Sequence, residues 1–125
     1  MKNEKGVVLP LTLSITLIIA LLLLQYSSRI TSQIKTYELQ QNYFMVTILE
    51  KECLSLILED LKDSTFLDSD VFPSQNKMLH NQTVATFTYY NSLNSLDVTY
   101  KFIYNEYQGK GTISYDKINK TYTWK

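Results

Sequence analysis

The chain has 125 residues and a formal charge of zero, from 12 basic and 12 acidic side chains, with one cysteine and one histidine. That length allows one small domain beside an apolar N-terminal stretch, and the even charge balance provides no global field to gather nucleic acid or an anionic membrane surface. A lone Cys53 excludes an intrachain disulfide and a zinc site built from several thiolates, so packing must hold the fold together.

Residues 1–6 form a short basic leader carrying Lys2 and Lys5 and ending in Gly6. From Val7 to Leu24 no residue is charged, and as a helix this run reaches about 27 Å, close to the hydrocarbon thickness of about 30 Å. It lacks the shorter apolar core and small-residue exit of a removable signal peptide. Residues 7–28 are therefore expected to be a retained transmembrane helix. Thr12, Ser14 and Thr16 recur every second residue, which spreads them around that helix, where each can bond back to a carbonyl one turn earlier. Pro10 is tolerated best in a first turn, so the helix is expected to begin near Val7 to Leu9, with Gly6 as its boundary.

The helical pattern continues through residues 29–62. Ile30, Ile34, Tyr37, Gln41, Phe44 and Ile48 follow one another at alternating steps of four and three, a heptad-like seam suited to a partner helix. A second stripe follows at Met45, Leu49, Cys53, Leu56 and Leu61, and the helical spacing around Cys53 predicts a buried core thiol. Neither Gly nor Pro occurs between Leu11 and Phe72, so one helix from about Leu9 to about Leu61, on the order of 80 Å long, is the simplest structure. A helix of that length needs a membrane, a coiled coil or a filament to cover it.

Residues 63–82 read as a loop, opened by Asp63 and Ser64 and continuing through Pro73 into a polar stretch. Asp63, Asp68 and Asp70 do not have the spacing of an EF-hand calcium loop. Residues 83–125 change to a period of two. Thr83–Tyr90 and Leu96–Tyr107 are dense in Thr, Val, Tyr, Phe and Ile, with Val98, Tyr100, Phe102 and Tyr104 alternating onto one face. Asn91–Ser95 reads as a turn, Gly109 to Gly111 as the opening of a strand Thr112–Asp116, and Lys117–Lys120 as the turn into a last strand Thr121–Trp124. The expected fold is α+β: a long N-terminal helix packed on an antiparallel sheet of three to four strands.

Charge is uneven along this framework. Glu50, Glu52, Glu59, Asp60, Asp63, Asp68 and Asp70 face Lys51 and Lys62, whereas the chain beyond Asn81 is mildly basic. His80 stands in a polar loop without a nucleophile at a recognisable spacing, and the pairs Glu50/Glu52 and Glu59/Asp60 fall on a helix surface. No Walker loop, serine elbow, dinucleotide fingerprint or metal-spaced His/Cys set occurs. The chain is not expected to be an enzyme or to carry a metal or cofactor. Lys101, Lys110, Lys117 and Lys120 among tyrosines loosely suggest a surface for single-stranded nucleic acid, and ordinary strand composition accounts for the same residues.

The basic leader ending in Gly6, the charge-free run directly after it, the helix that outlasts the membrane and the C-terminal antiparallel sheet together resemble the type IV pilin and pseudopilin class. "KGVVLPL" and the ending "GTISYDKINKTYTWK" are similar to the ComGG-type competence minor pseudopilins of Gram-positive bacteria. The resemblance implies a prepilin peptidase that cuts between Gly6 and Val7 and methylates the new amino terminus at Val7. It also implies that the membrane helix packs later as the core of a fibre. Most major pilins carry Glu at the fifth mature position, where this chain has Leu11, and subunits at a pilus tip characteristically lack that carboxylate. The expected partners are other competence pseudopilins, the peptidase, the assembly platform and a single membrane span, with DNA contacted indirectly or weakly. The expected location is the cytoplasmic membrane with the C-terminal domain outside, then the cell surface. A type II secretion pseudopilin and a single-pass extracellular adhesion module are the alternatives.

Overall fold

The computed structural model describes residues 4–63 and 72–125. Helix α1 spans Glu4–Lys62, and five strands follow: β1 Gln75–Met78, β2 Val84–Asn91, β3 Ser95–Tyr104, β4 Tyr107–Asp116 and β5 Thr121–Trp124. A short 3-10 turn, His80–Gln82, separates β1 from β2. The chain divides into two compact units, Met1–Gln40 and Gln41–Lys125.

The first unit holds the N-terminal part of α1. From Val8 to Gln41 every side chain is exposed in the chain alone. The helix is long and apolar enough near its N-terminus to cross a membrane, with a best-window mean hydropathy of 2.4. Its start corrects the sequence expectation: α1 begins at Glu4, runs through Gly6, and contains Pro10 in its interior. A proline removes one rung of the hydrogen-bond ladder at a cost of about 3 kcal/mol, but it does not end a helix whose neighbours keep their own bonds.

The second unit is the sheet packed on the last turns of α1. Strand order is β1-β2-β3-β4-β5, every neighbouring pair is antiparallel, and so the sheet is a plain meander. Leu49, Cys53, Ile57 and Leu61 recur every four residues on α1 and meet Ala85, Phe87 and Tyr89 of β2, Leu96, Val98, Tyr100 and Phe102 of β3, and Ile113 of β4. Strand alternation gives this pattern directly, because one face of β2 and β3 is buried and the other is wet. The helical half differs slightly from the expected stripe: Ile57 fills a core position, while Met45 and Leu56 are half-buried.

Two further differences concern the strands. The sheet has five strands where three to four were expected, because β1 forms within the stretch read as loop. Its short polar sequence is held from the helix side: Lys77 Nζ pairs with Asp60 Oδ2 at 2.6 Å, and Lys77 also stands 5.6 Å from the centre of the Phe87 ring. The second difference is the β3–β4 turn, which falls at Asn105 and Glu106 with Tyr104 opposite Tyr107. Asn105 adopts φ 52°, a left-handed conformation that asparagine tolerates better than most residues. Gly109 and Gly111, read as the opening of a strand Thr112–Asp116, lie within the longer β4 opposite Phe102 and Tyr100.

Those glycines are required by close approach. A Cβ at Gly111 would stand 2.6 Å from the Tyr100 hydroxyl oxygen, and one at Gly109 would run into the Phe102 ring. Both rings are buried, so they have no empty space into which to retreat. Gly109→Ala is therefore expected to destabilise the sheet unit by about 1–3 kcal/mol, the usual cost of overpacking. Thermal unfolding of the detergent-solubilised chain by circular dichroism checks this, and an unchanged midpoint would show that Phe102 can yield.

Candidate functional site

The residues that carry the functional expectation lie in two groups along α1. Gly6, the backbone of Val7, Pro10 and Leu11 occupy the first turns, with Gly6 and Leu11 exposed. The hydroxyls of this segment bond within the helix. Thr12 Oγ1 donates to the carbonyls of Val8 and Leu9 at 3.0 and 2.9 Å. Ser14 Oγ donates to Pro10 at 2.8 Å, and Thr16 Oγ1 to Thr12 and Leu13 at 3.0 and 2.9 Å. Thr31 and Thr36 repeat the pattern further along. These bonds satisfy the hydroxyl donors within the helix itself, which suits an environment that offers no water.

The second group is the heptad-like seam. Ile30, Ile34, Tyr37 and Phe44 are 41–73% exposed, and Ile48 is half-buried. The sheet thus covers the stripe from Leu49 to Leu61 within its own unit, and the Ile30–Tyr37 part of the seam is exposed among the described residues. Apolar side chains in such a row, flanked by Gln33, Glu38 and Gln40, have the pattern of a helix that packs on another helix.

The C-terminal unit shows how firmly the upper helix is clasped. Asp60 accepts from both Lys77 Nζ at 2.6 Å and the Tyr89 hydroxyl at 3.2 Å, which ties β1 and β2 to α1. Glu52 accepts from the backbone N–H of His80 at 3.0 Å, and Asn105 Nδ2 donates to Asn42 Oδ1 at 3.1 Å. Tyr43 and Tyr107 add a ring contact with centroids 5.5 Å apart. Sequence reasoning missed Asp60 in this role, since its partners lie 17 and 29 residues away and helix spacing marks it only as a surface carboxylate.

Burial sets the chemistry of the core's ionisable groups. It is the main cause that pushes the Cys53 thiol up to about 12, with the charges of Glu52 and Glu50 adding to the shift. Burial likewise pushes the Tyr100 phenol up to about 12, with Glu50 and Cys53 adding, and Tyr89 is raised by burial and then by the charge and hydrogen bond of Asp60. Tyr100 Oη is buried without a hydrogen-bond partner among the described residues, which costs about 1–3 kcal/mol in desolvation. At the surface, Asp116 is held below the usual carboxylate range first by the N–H of Ile118 and then by the side chain and N–H of Asn119. It thereby shapes the turn before β5.

The remaining sequence candidates are scattered. Lys101 lies directly opposite Lys110 across β3 and β4, on the face away from the core, whereas Tyr89 and Tyr100 are buried on the other face. The lysines and these rings therefore make no common stacking surface. Lys117 is engaged in a turn, donating to Asn91 Oδ1 and to the Ser92 carbonyl. His80 is exposed. Among the described residues no three His, Cys, Asp or Glu side chains converge as a metal site; Asp68 and Asp70 lie outside the described residues.

No protein-family model matches the chain, and no curated protein or solved structure is significantly similar to it.

Cys53 provides a direct check on the core. A thiol that is fully buried and pushed up to about 12 is expected to resist iodoacetamide at pH 8.5 in the native chain and to react fully in guanidinium. Rapid native labelling, read by intact mass, would place Cys53 outside the core.

Proposed function

We propose that the chain is a minor pseudopilin of the ComGG type, made as a precursor, inserted in the cytoplasmic membrane and built into a competence pilus that takes up DNA. The observation that carries this reading is a single helix, Glu4–Lys62, that is apolar and uncovered directly after Gly6. In its last turns it presents a row of side chains buried against an antiparallel meander. Such a chain can anchor a small sheet outside the membrane and exchange lipid for neighbouring helices without refolding.

In this reading a prepilin peptidase cuts after Gly6 and methylates Val7. Lys2 and Lys5 keep the leader on the cytoplasmic side. Val8–Leu24 then moves from bilayer to fibre, while Ile30, Ile34, Tyr37, Phe44 and Ile48 meet other competence pseudopilins on the assembly platform. Leu11 supplies no carboxylate for a neighbour's terminal amine, which fits a subunit placed at the tip. The work is done by assembly, without catalysis or a cofactor, and DNA is contacted indirectly.

Two outcomes test this. Gly6→Val should leave an unprocessed, membrane-bound precursor in cells that contain the peptidase, whereas the wild-type chain should lose its leader and gain one methyl group by intact mass. Normal maturation of Gly6→Val would refute cleavage at that bond. Leu11→Glu should reduce transformation at least tenfold if the position is a tip site, because an unpaired carboxylate in hydrocarbon is costly. Transformation at the wild-type frequency would remove the tip assignment.

A further inference from the structure

The Gly6–Val7 peptide link lies inside α1, and Pro10 follows it within the same helix. In an α-helix each carbonyl accepts from the amide four residues later. For Gly6 that residue is Pro10, which has no N–H to give. The carbonyls immediately beyond are treated in the opposite way: Val8 and Leu9 both receive the Thr12 hydroxyl, and Pro10 receives that of Ser14. Apart from its chain neighbours and the helix's own backbone, nothing stands within 4 Å of where a Cβ on Gly6 would lie. The helix therefore has its missing rung at Gly6, while the carbonyls of Val8, Leu9 and Pro10 each take an added hydroxyl donor.

Peptide hydrolysis needs a carbonyl that water can approach and that can accept the donors stabilising the developing oxyanion. A helical carbonyl is engaged by its own chain and must first be released. We propose that Pro10 is a positioning residue for proteolysis: by withholding the amide that would bind the Gly6 carbonyl, it makes Gly6–Val7 the link that opens from the helix at least cost. In the reaction, water adds to the Gly6 carbonyl carbon and the C–N bond to Val7 breaks. The leader departs with a Gly6 carboxylate, and the Val7 amine takes up the proton. Beyond the cut the carbonyls from Val7 onward again face residues that carry an N–H, so the opening is confined to the one missing rung.

The proposal rests on cleavage after Gly6 as the function proposed above requires, and one experiment separates the two. The full-length chain, Pro10→Leu, and the double variant Pro10→Leu/Leu11→Pro are expressed with a prepilin peptidase. Loss of the leader is followed by pulse-chase and intact mass in the carbonate-resistant membrane fraction, so that differences in insertion drop out. Pro10→Leu restores the amide to Gly6 and should be cut at least tenfold more slowly than wild type. The double variant keeps a proline in the same turn but frees the Val7 carbonyl, and should be as slow as the single variant at Gly6. Wild-type rates for Pro10→Leu overturn the proposal while leaving cleavage at Gly6 intact. Wild-type rates for the double variant overturn it too, since then any nearby proline suffices. An uncut wild-type chain overturns the cleavage reading and the proposal together.

Discussion

An apolar helical surface must be covered, and the kind of cover available to α1 changes along its length. Between Leu49 and Leu61 the cover is the chain's own sheet, where a row with a four-residue repeat meets the buried faces of β2, β3 and β4. From Val8 to Gln41 every side chain is exposed among the described residues. The hydrophobic term, about 25 cal/mol per Å² of apolar area removed from water, therefore acts on the two stretches in different places. It folds the C-terminal unit by itself, and it leaves the N-terminal helix long and apolar enough to cross a membrane. The fold follows from this division of one helix, and the proposed function builds on it.

The sheet unit meets its share of that requirement with a small set of devices. Aromatic rings from β3 crowd close to glycines of β4, which lets Tyr100 and Phe102 pack against the main chain in the buried face under the helix. The short edge strands β1 and β5, four residues each, limit the unpaired backbone exposed to aggregation. Asp60 fastens β1 and β2 to the helix from a half-buried position, where an ion pair is screened less than at the open surface. With no disulfide available, these contacts replace covalent bracing.

The parts of this structure that were legible in the sequence are those governed by local periodicity. The helix showed as an unbroken stretch without Gly or Pro from Leu11 to Phe72, and the buried faces of β2 and β3 showed as strict alternation. What was hidden depends on partners distant in sequence. β1 looked polar because Lys77 is paired with a helix carboxylate 17 residues earlier. Gly109 and Gly111 looked like the opening of the next strand and not its interior, because their reason for being small is a ring on the neighbouring strand, while the turn at Asn105 and Glu106 has no glycine and falls inside a stretch that reads as one strand. Pro10 illustrates a different difficulty. As a punctuation mark it suggested a helix start, but its effect is exerted four residues earlier, on a carbonyl that composition does not single out.

The hydroxyls of Thr12, Ser14 and Thr16 have a mechanical consequence. Since each is already bonded to its own helix, a neighbour sliding along or turning about this segment breaks no hydrogen bond as it moves. A helix packed against this segment would be held by the shapes of Leu and Ile side chains, each contact worth a small dispersion energy, and by no hydrogen bond from these three donors.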